Sequence, residues 1–322
     1  LYSIANNAII TIDFFILSQT VAYLITILIG FSFLIKNTKL PSLKWDQLFF
    51  KMIVKKSMPY ALLIFLMSVY YYSDVVMVER IRGNIEVANY AHGYRFFMAF
   101  NMLGYLFAGL LLPIFSRLIK EKQSVLPVSW LSFKLIYFFA LIICVTVWTY
   151  KMEILNWRYE INGSSLLHSS ETFGWLMISF IAVSCNYIFG TLLTAKGSMK
   201  QLNILAVFGI LINISLNLLL IPDKGSSGAA FASAFTQFFI LVFQIALCYK
   251  IFNFKYHLLS IIRIFSFTIL FISMVYTVEN NLSINWLEKI ILNVIGGGII
   301  GLFLKVINWD QFYSLLKHDK SS

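Results

Sequence analysis

The sequence predicts an all-α integral membrane protein with about nine transmembrane helices. Three observations carry that prediction. Of the 322 residues, 60% are hydrophobic and only 12% charged, where a soluble domain has about 25% charged residues. The apolar runs are near 20 residues long, the length a helix needs to cross a hydrocarbon core of about 30 Å, whereas barrel strands need about 10. The formal net charge of +11 is sorted between alternate loops, as membrane topology requires.

Taken in order, the apolar windows are 9–35, 58–78, 94–115, 130–148, 173–194, 202–221, 228–249, 258–278 and 291–307. The first ends at a basic stretch, 36–57, that carries Trp45, Phe49, Phe50, Met52 and Ile53. That stretch reads either as a linker that sets orientation or as a short helix lying on the inner membrane surface. The second window holds Asp74 and, beside it, Tyr70, Tyr71 and Tyr72. Arg95 opens the third, and Lys134 lies about one turn inside the fourth. Residues 151–172 form the longest outer loop; its acids Glu153, Glu160 and Glu171 read as solvated. The sixth window carries Asn213 and Asn217, then stops at Pro222, with Asp223 and Lys224 in water. The seventh restarts on small residues, Gly228 to Ala234. The last is short and glycine-rich.

Alternate loops divide the cations unevenly. One set holds 17 of the 25 Lys and Arg and the other 7, with Lys134 inside a window. The basic set belongs at the cytoplasmic face, so the first residue is expected outside and the last inside, as nine crossings demand. In a membrane protein this net charge argues for basic loops and not for a nucleic-acid partner. Cys144, Cys185 and Cys248 all fall in apolar windows and read as small hydrophobes. His92, His168, His257 and His318 are scattered and form no metal motif. The chain begins with Leu1 and no signal-like segment precedes the first window, so a longer or truncated parent protein is expected.

Ionisable groups within a span are costly and therefore functional suspects. Asp74 reads either as a hydrated interfacial carboxylate or as a cation or proton site. Arg95 could pair with Asp74, meet an anionic substrate or snorkel to the interface; Lys134 could do either of the last two. Asn213 and Asn217 lie one turn apart on one helix face. Ser233, Gln237 and Gln244 continue a compatible stripe at offsets of four and eleven. Interhelical hydrogen bonding explains such residues, and so does a set of oxygen ligands for a hard cation. No catalytic constellation is visible, so a transporter is expected rather than an enzyme.

Two stretches resemble the polysaccharide flippase branch of the multidrug/oligosaccharidyl-lipid/polysaccharide exporter superfamily. The first is YYSDVVMVERIRGNIEVANYAHGYRFFMAFNMLGYLFAGLLLPIFSRL, residues 71–118. The second is NYIFGTLLTAKGSMKQLNILAVFGILINISLNLLLIPDKGSSGAAFAS, residues 186–233. Such exporters have two six-helix lobes and often two further helices. The resemblance implies that 1–40 ends a first lobe, 41–57 is a basic cytoplasmic linker, 58–250 is a complete second lobe and 251–322 holds two extra helices and a tail. It implies a flippase moving a polyprenyl-pyrophosphate-linked oligosaccharide (O-antigen, capsule or exopolysaccharide unit) across a bacterial inner membrane by alternating access. Membrane lipid, a glycan polymerase and other assembly proteins are the expected partners. Arg95 and Lys134 are the substrate-side cations of this chain. Lipid II flippases, which are related, carry a sodium site in the second lobe. Carried across, that site comprises Asp74, Asn213, Asn217, the Ala229 carbonyl and the Ser233 hydroxyl, with Asn217 standing where an acid would add a second charge. The coupling ion is Na+ or H+, and no other cofactor is expected. A multidrug or cation extruder, a glycan polymerase or ligase, and an inactive truncated remnant are the rival readings.

Overall fold

The computed structural model describes residues 12–37, 45–254 and 258–306. Lys39, Lys44, Lys255, His257, Lys317, His318 and Lys320, with the two extremes of the first and last apolar windows, lie outside the described residues. All regular structure among the described residues is helical: α1 (Ile12–Asn37), α2 (Gln47–Arg82), α3 (Asn84–Lys120), α4 (Leu126–Thr149), α5 (Lys151–Tyr159), α6 (Gly163–Ala195), α7 (Met199–Phe252), α8 (Leu258–Asn281) and α9 (Trp286–Phe303). Eight of them are long and apolar enough to cross a membrane, and the chain is a multi-pass integral membrane protein.

Among the described residues the eight supply nine candidate crossings, because α7 is two helices. Its 54 residues would extend about 80 Å as a straight helix, more than twice a bilayer core. Gly225, at φ 57° and ψ −135°, breaks it in a region of backbone space that essentially only glycine occupies. The chain reverses there: a Cβ on Gly228 would lie 2.7 Å from the Leu220 carbonyl oxygen. Pro222 therefore stays within the first arm (199–224), and the small residues from Ser226 onward start the second arm (226–252).

The chain falls into two compact units, Leu1–Lys56 and Ser57–Ser322. In the first, α1 is a single apolar helix whose Ser18, Thr20, Thr26 and Ser32 hydroxyls donate to carbonyls one turn back, so each of these hydroxyls has its partner within the helix. Among the described residues of 36–57, the short surface helix, one of the two readings of that stretch, does not form as a separate element. From Gln47 onward those residues are already α2.

In the second unit, α2 and the first arm of α7 run parallel. Asn203 Nδ2 donates to the Pro59 carbonyl at 3.0 Å, Ser73 Oγ to Asn213 Oδ1 at 3.2 Å, and Arg82 Nη1 to the Pro222 carbonyl at 3.1 Å. α3 returns antiparallel to α2 after the single-residue turn at Gly83. It approaches α6 so closely that a Cβ on Gly93 would meet the Phe173 Cα at 2.8 Å. The outer loop expected at 151–172 is instead α5 and the first turns of α6. Its acids Glu153, Glu160 and Glu171 are exposed, as expected. Lys151 sits over the Trp148 ring at 4.2 Å, and desolvation there holds its ammonium below the usual lysine range. α8 and α9 pack on α4 through an aromatic seam in which Phe138 and Phe267 lie 5.0 Å apart.

Candidate functional site

Asp74 is buried, with 3% of its surface exposed, which removes the hydrated-interface reading. It lies where α2, α3 and both arms of α7 cross. Asn217 Nδ2 donates to Asp74 Oδ1 at 2.7 Å, Tyr90 Oη to Oδ2 at 3.2 Å, and Ser233 Oγ also donates to Oδ2. Around this first ring, Asn217 Nδ2 also reaches Asn213 Oδ1 at 3.2 Å, and Tyr70 Oη lies 3.3 Å from both the Ser233 carbonyl and its hydroxyl.

All three partners of the carboxylate are neutral: an amide, a phenol and an alcohol. A carboxylate in a low-dielectric setting without a cationic partner is stabilised by taking up a proton or a cation. The sequence could have supplied Arg95, but that side chain is exposed on α3 and is not among Asp74's partners. Lys134 is buried in α4, on the seam that meets α8, and is not a partner of Asp74 either. The structure therefore brings Asp74, Asn213, Asn217 and Ser233 together and leaves Arg95 and Lys134 outside the cluster. Ala229, one turn before Ser233, is fully buried in the second arm.

The donor set can be tested for a hard cation. Such an ion wants oxygen ligands. The cluster offers two carboxylate oxygens, the Asn213 and Asn217 carbonyl oxygens and the Ser233 hydroxyl. Asn217 Oδ1 is buried with no hydrogen-bond partner among the described residues, so one acceptor is already spare. One carboxylate with neutral oxygens suits a monovalent ion. No group of three His, Cys, Asp or Glu is gathered anywhere among the described residues. The residues present fit Na+, and the carboxylate alone fits H+.

Sequence reasoning missed the groups that hold this cluster in register. Glu86, one turn before Tyr90 on α3, accepts the Ser226 backbone N–H at 2.7 Å and so caps the second arm of α7 at its positive end. His168 Nδ1 lies 3.5 Å from Glu86 Oε1, and Asn89 Nδ2 donates to the same oxygen at 3.3 Å. Ser226 is two turns before Ser233. Glu86–Ser226 and Tyr90–Asp74–Ser233 are thus successive rungs between α3 and α7. The signal available in the sequence was the four-residue step from Glu86 to Tyr90.

One cavity touches the cluster and a second lies beyond it. The first, of about 10 Å³, touches Asp74, Tyr90 and Ser233, room for about one water. The other, about 500 Å³, lies toward the end of the lobe that carries the α3–α4 and α6–α7 connections, and is walled by α2, α3, α6 and both arms of α7.

Comparisons with known proteins agree with the resemblance read from the sequence. Residues 8–119 match the family model described as polysaccharide biosynthesis protein. The match includes the first quoted stretch and ends before the second. Among solved structures, the chain is similar to one titled "Lipid II flippase MurJ, inward closed conformation", at 16% identity and a TM-score of 0.67, over 90% of this chain. At that identity the likeness establishes the fold. The chain spans 60% of the length of that flippase. A comparison with curated proteins finds no match.

Proposed function

We propose that this chain, which carries the polysaccharide biosynthesis family's sequence over residues 8–119, is part of a cation-coupled flippase for lipid-linked glycans. Its cargo is a polyprenyl-pyrophosphate-linked oligosaccharide, an O-antigen, capsule or exopolysaccharide unit. The unit crosses the bacterial inner membrane by alternating access. The basic loops face the cytoplasm, with the first residue of this chain outside and the last inside.

The observation that carries the reading is Asp74: a buried carboxylate with three neutral partners, at the crossing of helices that must move in a rocking mechanism. Asp74, Asn213, Asn217, Ser233 and the Ala229 carbonyl would hold the coupling ion, Na+ or H+. When bound, that ion neutralises the carboxylate. The chain's own residues do the rest. Asn217 and Ser233 tie the two arms of α7 to α2 through one carboxylate, so the charge state of Asp74 sets how strongly the three helices hold together. Tyr90 brings α3 into the same arrangement. Arg95 and Lys134 serve the pyrophosphate from outside this cluster, and membrane lipid, a polymerase and other assembly proteins are the surrounding partners.

The test is a whole-cell one. In the full protein, Asp74→Ala combined with Arg95→Ala is expected to abolish surface glycan and to leave lipid-linked precursor on the inner leaflet. Normal glycan display by the double variant would overturn the assignment.

A further inference from the structure

The two cavities share walls. Tyr71, Val183 and Gln237 line both the 10 Å³ space against Asp74 and the 500 Å³ space below it. Of these three, Gln237 is an amide placed one turn from Ser233, and Ser233 donates to Asp74. Gln244, two turns further along the same face of α7, lines the large cavity. The second arm therefore carries a polar stripe from Asp74 into the cavity, along walls that are otherwise largely apolar.

Asn186 of α6 closes the narrow point. Its Nδ2 donates to Gln237 Oε1 at 2.9 Å and to the Gln237 carbonyl at 3.1 Å, which fixes the Gln237 amide between the two spaces. Asn186 Oδ1 and Gln244 Oε1 are both buried without a hydrogen-bond partner among the described residues, and both residues line the large cavity. Unpartnered acceptors on a cavity wall are costly in apolar surroundings. They are the groups that solvate a small cation and its water. Packing alone gives no reason to place two such acceptors here.

We propose that Gln244, Gln237 and Ser233 form the route by which a small monovalent cation with its water reaches Asp74 from the large cavity, and that the Asn186–Gln237 pair is its gate. At the opposite end of the lobe the Glu86–Ser226 contact and the Tyr90 ring cover the carboxylate, so in this conformation, among the described residues, the route opens toward one end. With the orientation proposed above, that end is cytoplasmic. The inference rests on Asp74 being the exchangeable site.

The test is accessibility of the Asp74 carboxyl to a water-soluble carbodiimide, applied from either side of sealed vesicles holding the protein, with the Asp74 adduct quantified by mass spectrometry. Without cargo or an ion gradient, labelling is expected to be about tenfold greater from the side of the α3–α4 connection than from the other. Gln237→Leu should cut the adduct about tenfold, the scale of one lost hydrogen-bonding group, and Gln237→Asn should restore most of it. If Gln237→Leu does not accumulate as a folded protein, Gln244→Leu tests the same route away from the Asp74 cluster and should cut the adduct about threefold. Equal labelling from both sides, or a yield in the leucine variant within about twofold of wild type, overturns the route. Protection of Asp74 by Na+ or by raised pH reads out the exchangeable site separately. Absence of both kinds of protection would count against the proposed function, whatever the leucine variants do.

Discussion

Two junctions at opposite ends of the second unit use polar side chains in opposite ways. Around Gly83 and Gly225, where α3, α6 and α7 meet, polar groups are consumed by one another. Glu86 takes the Ser226 N–H, Thr172 Oγ1 donates to Ser226 Oγ at 2.9 Å, and Ser165 Oγ donates to Asn89 Oδ1 at 2.9 Å. At the other end, Asn186 and Gln244 each keep a buried acceptor unpartnered beside a cavity of about 500 Å³. In a membrane lobe, where apolar contact does not distinguish protein from lipid, a fully paired polar cluster holds helices together. A partly paired one beside a cavity leaves groups for something else to use. Asp74 sits between the two regimes: it has three donors yet no countercharge.

That contrast can be broken at graded points. The largest effect is expected at Asp74. Asp74→Leu removes the acceptor from three donors and should lower stability by about 2–4 kcal/mol, read from unfolding in detergent. Asp74→Asn should stay within about 1 kcal/mol of wild type yet lose its response to the coupling ion, separating packing from charge.

Next comes Gly225→Ala. The new Cβ would occupy a glycine-only backbone conformation and collide with the Glu86 carboxylate, costing about 2 kcal/mol and loosening both rungs of the ladder. Glu86→Ala leaves the backbone unstrained and removes only the cap of the second arm. A loss of about 1 kcal/mol is expected, with Glu86→Gln losing less. The smallest change in stability is expected for Arg95→Ala. Its side chain is exposed, so unfolding should shift by no more than about 0.5 kcal/mol, while surface glycan display falls. A large loss of stability there would place Arg95 in the packed lobe and not on the substrate side.

The parts of the site that were legible in the sequence were polar residues inside apolar runs. Asp74, Asn213, Asn217 and Ser233 stand out because each has a cost in hydrocarbon, and the four-residue step from Asn213 to Asn217 put two of them on one face. Tyr70 and Tyr90 did not stand out. Tyrosine is common near membrane interfaces, so a buried tyrosine that donates to a carboxylate looks like an interfacial one. Glu86 was hidden for another reason. It precedes the apolar window of α3, and hydropathy does not follow a helix beyond its apolar core.

The same limit explains the boundaries. The first turns of α2 and α6, Gln47 to Ser57 and Gly163 to Thr172, are helical in the structure; in the sequence the former reads as a linker or a separate surface helix and the latter as loop. The sequence put the break at Pro222, whereas the helix runs through Pro222 and reverses at Gly225; the anchor of that reversal, the distant Glu86 carboxylate, leaves no local trace.

The central claim is that Asp74 couples a cation to flipping. It is tested most directly in proteoliposomes holding the full protein, by measuring transbilayer movement of a lipid-linked oligosaccharide under opposed sodium and proton gradients. Wild type is expected to move cargo faster under one of these gradients, and Asp74→Asn to move it at one rate under all of them. A wild-type rate indifferent to both gradients, or an undiminished gradient response in Asp74→Asn, would contradict the claim.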